Sequence, residues 1–388
     1  MTTRERRTRV ARRHHLAPRF RAGTPLEVAR GLVALHGTTA SSVYLSAAAR
    51  LRQPDAALME DALYRERTLV RMLGMRRTMF VVAAEVAPII QAACTRAIAV
   101  RERQRLVRLV EEAGIAMDGA AWLAPIERST LRTLDQRGES TAAELGSQIP
   151  KLRTQIRLAT GKAYEGTVSV GTRLLFVLAA EGRIVRLRPL GTWASSQFRW
   201  APVGGKQSSE WASWTVAKAQ VELLRRYLAA FGPATMADMG WWSGLTVGDV
   251  RRALEQIGTQ SVELDAGPGL VLRGDLEATK PTAPWAALLP ALDPTVMGWA
   301  GRDWYLGDHG RALFDRSGNA GPTIWWDGRV VGGWAQRRDG QIAFKLLEDI
   351  GSDGQKAVQA AAGRLQLWFG SVRVTPGFRT PLEKELAG

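Results

Sequence analysis

Apolar positions along the chain switch repeatedly from helical spacing to short β-rich runs, and the switch recurs in the same order. Thr24-Pro25-Leu26-Glu27 supplies an N-cap residue, a proline at the first helical position and a glutamate at the third. The stripe Val28, Leu32 then predicts a helix running to about His36, closed by Gly37, which tolerates the left-handed backbone that ends helices. Further helices are predicted at 40–51, 55–65, 84–97 and 98–113, with a β-rich hairpin at 69–82 between them. A second round follows: a helix near 121–136, a short one after Ser140, another at 169–181 closed by Gly182, then strands at 183–191 and 196–203. A third round has helices at 216–232, 233–242 and 246–258, and a two-stranded hairpin over 261–275.

Three helices followed by a hairpin is the winged-helix order. From about residue 280 the pattern turns to β, with Asp327-Gly328 and Asp339-Gly340 as hairpin turns in a meander or small barrel. The predicted fold class is α+β: three tandem winged-helix domains followed by a C-terminal β-rich domain. The boundaries fall at 1–23 (a basic N-terminal arm), 24–117, 118–205, 206–278 and 279–388. Thirteen of the fourteen Trp lie beyond residue 190, and those of the last segment are read as packing rather than as a base-stacking platform.

Charge narrows the partner class. The 53 Lys plus Arg against 37 Asp plus Glu give +16, and nine Arg with two acids crowd the first 30 residues. Such an excess attracts polyanions through counterion release, so nucleic acid leads; Arg-rich codon usage is the bland alternative. Cys94 is the one cysteine, which excludes an intramolecular disulfide. The longest apolar run, Leu174 to Ala180, is too short to span a bilayer, and no signal-peptide core follows the basic start, so a cytoplasmic location is expected.

Phosphate-cradling glycine loops and a serine-hydrolase elbow are missing, and His14, His15, His36 and His309 have no metal-ligand spacing with Cys94. No cofactor or metal is expected. His36-Gly37-Thr38 remains: an acid/base group and a hydroxyl two residues apart, just past a helix end whose dipole would favour the imidazolium. A helix-terminal histidine is also often a simple cap, and spacing alone leaves both readings open.

These segments resemble the tandem winged-helix DNA glycosylases typified by AlkZ and YcaQ. The likeness is carried by ARGLVALHGTTASSVYLSAAARL, MRRTMFVV, RYLAAFGPATMADMGWWSGL, LLPALDPTVMGW and PTIWWDGRVVGGWA, spread over nearly the whole chain. It implies a C-shaped cradle around double-stranded, damaged DNA and excision of alkylated or crosslinked bases, in a bacterial cytoplasm at the nucleoid. The family's two catalytic positions fall on His36 and Thr38, where known members carry Gln-x-Gln or Gln-x-Asp. Its hairpin signature Arg-Gly-Thr-x-His falls on Arg76 to Phe80. The expected activity is monofunctional: water activated by His36 and oriented by Thr38 hydrolyses the N-glycosidic bond of an alkylated, crosslinked or deaminated base. No Lys occurs in the first 150 residues to form a Schiff base near His36. Arg50, Arg71, Arg76, Arg77 and Thr78 are the expected DNA contacts, with the arm adding nonspecific affinity. Without a heptad or leucine-rich dimerisation segment the chain is expected to be a monomer. The alternative is a non-catalytic winged-helix regulator or lesion sensor.

Overall fold

The computed structural model describes residues 1–158, 166–195, 197–204, 211, 213–265 and 267–388. The boundary expected at 205/206 lies outside the described residues, as do Ser196 and Ala266 within two predicted strands.

The first surprise is at the N-terminus. Thr3–Arg13 forms helix α1, capped by the Thr2 hydroxyl, and it is docked rather than free. Arg9, 2% exposed, pairs with Glu5 and Asp275; Arg13 also pairs with Asp275, and Arg6 lies 4.0 Å above the Trp304 ring. The expected basic arm is therefore a structural helix, because its arginines find carboxylates and indole faces within the chain.

Helix α2 (Pro25–Leu32) starts as predicted, with the Thr24 hydroxyl accepting from the Glu27 N–H. It ends early, at Val33, whose φ of 62° turns the chain out of the helix. Leu35–His36 then forms strand β1, and α3 (Ala40–Ala48) follows. His36 thus sits on a strand, not at a helix tip, and the dipole argument does not apply to it. β2 (Leu69–Leu73) and β3 (Met79–Ala83) are the predicted hairpin, and β1 adds to it in the order β1-β3-β2. The helices expected at 84–97 and 98–113 are one helical run from Ala87 to Glu112, with a wide turn at Gln91–Thr95.

The second round contains the helix Gly119–Arg137, a short helix Ala142–Gln148 with a Thr141–Glu144 capping box, and the helix Val170–Ala180. Its sheet, β4 (Ser140–Thr141), β7 (Ile184–Pro189) and β8 (Phe198–Pro202), has the order β4-β8-β7. A further hairpin, β5 (Gln155–Leu158) with β6 (Gly166–Ser169), was not predicted, its strands being too short to show alternation. The third round follows prediction closely: helices Val216–Phe231, Met236–Ser243 and Val247–Gln256, then β9 (Thr259–Leu264) paired with β10 (Gly267–Leu272). Thr-x-x-Asp capping boxes at Thr235 and Thr246 begin its second and third helices.

The C-terminal sheet is an open meander, β11 (Ala286–Leu289), β12 (Thr323–Trp326), β13 (Arg329–Gln336) and β14 (Ile342–Leu346), not a barrel. The helix Gly351–Phe369, which the β reading missed, packs on it. Trp285, Trp299, Trp325 and Trp334 are buried, so these indoles are packing, as expected. Phe80, Tyr227, Trp242, Trp299 and Trp325 share one apolar core, which ties the first and third rounds to the C-terminal sheet. No helix among the described residues is long and apolar enough to cross a membrane.

Candidate functional site

Register decides which way the expected catalytic residues face. His36 pairs with Phe80 and, through β3, lines up with Met72; Leu35 lines up with Val81 and Arg71. Directly paired residues share a face, so His36 and Arg71 point to opposite sides of the small sheet. On Arg71's side a cleft of about 780 Å³ opens, lined by Thr38 and Arg71, by Thr172, Arg186 and Phe198 from the second round, and by Thr375. His36 is not among its lining residues. Among the described residues no acidic side chain lines it. The volume lies within the range of small-ligand pockets and suffices for one nucleotide turned out of the stack.

His36 is 8% exposed, its ring edge-on to Phe80 at 5.4 Å, and its Nδ1 is buried without a hydrogen-bond partner. Burial, with the nearby Arg76 charge, lowers its pKa to about 3. The imidazole is therefore neutral at any physiological pH and binds a proton poorly. This runs against the sequence expectation of a readily protonated group and against its use as a strong base. A neutral imidazole, however, still offers one donor and one acceptor.

Arg71, 6% exposed, donates from Nη2 to the Gly37 carbonyl and lies 4.3 Å over the Phe198 ring. Burial and the neighbouring Arg186 lower its pKa to about 10. Arg186 stacks near the same ring at 5.6 Å and on Trp200, its cross-strand partner, at 4.9 Å. Sequence reasoning missed Arg186 and Phe198. The three arginines of RIVRLRP, at 183, 186 and 188, were a signal, but which of them faced Arg71 depended on a contact between two sheets.

The remaining expected DNA contacts are placed differently. Arg50 is fully buried: it forms a two-pronged ion pair with Asp293 (2.7 and 2.8 Å) and donates to Thr295 Oγ1 and to the carbonyls of His14 and Ser46. No face of it is left for a phosphate, so it is a structural tie between α3 and the 293–295 turn. Arg76 and Arg77 form the hairpin tip, both left-handed (φ 52° and 60°). Arg77 occupies the position where the family signature carries glycine, and it is held by two hydrogen bonds to Glu102 at 2.5 and 3.1 Å. Arg76 stacks 4.0 Å over Trp241, whose other neighbour is Arg302 at 4.8 Å. The tip sits so close to Gly244 (φ 74°) that a Cβ there would lie 3.2 Å from the Arg76 backbone nitrogen. Thr78 is half-buried beside them, its hydroxyl 3.5 Å from the Arg76 carbonyl.

A solved structure, the Streptomyces sahachiroi DNA glycosylase AlkZ, shares the fold with a TM-score of 0.73 at 20% identity, over 96% of this chain and 98% of that one. Comparison with curated proteins gives no match. The family described as DNA glycosylase AlkZ-like matches residues 29–368, a span that takes in β1, the Thr38, Arg71 and Arg186 walls of the cleft and the C-terminal sheet. The chain belongs to that family and is a DNA glycosylase, a hydrolase of N-glycosidic bonds in DNA.

Proposed function

We propose that the chain is a monofunctional glycosylase for cationic, alkylated bases in duplex DNA, acting as a monomer on a nucleotide turned into the Thr38–Arg186 cleft. The observation that carries this reading is the chemistry of the cleft. Thr38 lines it, two arginines line it, and among the described residues no carboxylate does. Without an acid to protonate a departing neutral base, the site suits a lesion whose leaving group is already activated by its own positive charge. Three tandem winged helices, with the boundaries read from the sequence, would form the surface that holds the duplex.

In this scheme Thr38 accepts a hydrogen bond from the attacking water and aims it at C1′. The water oxygen bonds to C1′ as the glycosidic bond breaks, its electron pair leaves with the base and quenches the lesion's charge, and the spare proton passes to solvent. His36 acts from behind the strand through its packing against Phe80, which sets the backbone carrying Thr38, and not as a proton carrier. The low pKa and burial of His36 support this division of labour over the general-base role expected from the sequence.

The test is incubation with duplexes bearing N7- or N3-alkylpurines, uracil or hypoxanthine, followed by alkali to reveal abasic product. Strand scission confined to the alkylated duplexes is expected. Excision of the deaminated bases at equal rates would overturn the assignment of lesion class, and binding without excision of any of them would overturn the catalytic scheme.

A further inference from the structure

Arg71 and Arg186 form no ion pair with any described carboxylate, and the Nε of each is buried without a hydrogen-bond partner. Arg188, two residues further along the same strand, shows the contrast, being paired with Glu60 at 2.6 Å. Two guanidinium groups drawn to one phenyl ring, repelling each other and largely out of water, are costly to maintain unless an anion joins them. Among the described residues, the walls of the cleft offer none.

We propose that Arg71 and Arg186 form, across the Phe198 ring, a clamp for one phosphodiester of the nucleotide held in the cleft. The proposal rests on the reading of that cleft as the nucleotide site. A phosphodiester supplies what the pair lacks: negative charge and oxygens able to accept from the free Nε of Arg71 and from the fork of Arg186 at once. A neutral base would leave both charges uncompensated, and a cationic lesion resting directly on them would be repelled. The phosphate therefore belongs between the arginines and the sugar. Arg71 also donates to the Gly37 carbonyl, one peptide from Thr38. The clamp and the water-holding hydroxyl are thus tied together, so fixing the phosphate fixes C1′ relative to Thr38.

The experiment uses the full chain and a duplex containing one tetrahydrofuran abasic analogue, with each nearby phosphate replaced in turn by an uncharged methylphosphonate. Wild type should lose about 10- to 100-fold in affinity at one linkage next to the analogue, the usual range for a hydrogen bond to a charged group. Arg186→Gln should bind the unmodified duplex more weakly by a similar factor and lose nothing further at that linkage, and Arg186→Lys should recover part of the loss. Because the linkage scan is made on wild type, a folding defect in a variant does not obscure it. Tight binding with no sensitive linkage, or full linkage sensitivity in Arg186→Gln, would overturn the clamp and leave the glycosylase reading standing. Failure to bind the analogue duplex above undamaged DNA would overturn both.

Discussion

Replacing His36 by glutamine separates a buried neutral imidazole from a titrating one. In the folded chain its pKa is about 3, against the ordinary 6.5 expected once the chain unfolds. Between those values the unfolded state takes up a proton that the folded state does not, so acidification favours unfolding. The penalty is absent well above pH 6.5 and grows by roughly 1.4 kcal/mol per pH unit until the folded value is reached. From pH 7 to pH 5 this amounts to about 2 kcal/mol in wild type. Glutamine, which does not titrate, escapes it. His14 is buried and likewise held well below its usual pKa, but it is present in both proteins and cancels in the difference. Urea denaturation at pH 7, 6 and 5 measures the gap, which should move in favour of His36→Gln by that amount. The same variant should retain excision, since the amide is also uncharged and similar in size, and no proton is carried at this position. Parallel stability curves would mean that the imidazole protonates as freely folded as unfolded, and the general-base scheme would then replace the one argued above.

Thr38→Val keeps shape and removes the hydroxyl; single-turnover excision should fall by about tenfold or more with little change in DNA affinity, while Thr38→Ser keeps most of the rate. Arg50→Met strands Asp293 in the interior and should cost about 3–5 kcal/mol in chemical denaturation, with Arg50→Met/Asp293→Leu regaining part of it. Neither Arg50 variant that folds should alter the salt dependence of DNA binding, as a phosphate contact would. Because Glu102 already neutralises Arg77, Arg77→Gln should change that slope by well under the ~1 unit of a true phosphate contact, and a full unit would show that the pair opens on DNA.

The start of α2 was legible in the sequence because its signal is local: Thr24 and its proline cap the helix they announce. The Asp-Gly turns marked the meander for the same reason. Ends were less legible. Gly37 advertised the close of α2, yet Val33 closes it, because Leu35 is wanted in the core beneath β3 and a left-handed turn at a β-branched residue is tolerated to place it there. That shift of a few residues reversed the surroundings of His36. The charged residues were misread for a different reason. Arg50, Arg9 and Arg77 look alike in a sequence, and only the distant Asp293, Asp275 and Glu102 show them to be satisfied within the protein. Unpaired arginines stand out only after such pairs are removed, which is how Arg186 comes into view.

The docked helix at the start of the chain has a consequence for synthesis. Its anchoring points, Asp275 and the Trp304 carbonyl and ring, are translated more than 250 residues after it. Until they emerge from the ribosome, a strongly cationic segment stays unsheltered beside ribosomal RNA, and the final architecture closes only when the last third of the polypeptide arrives to claim it.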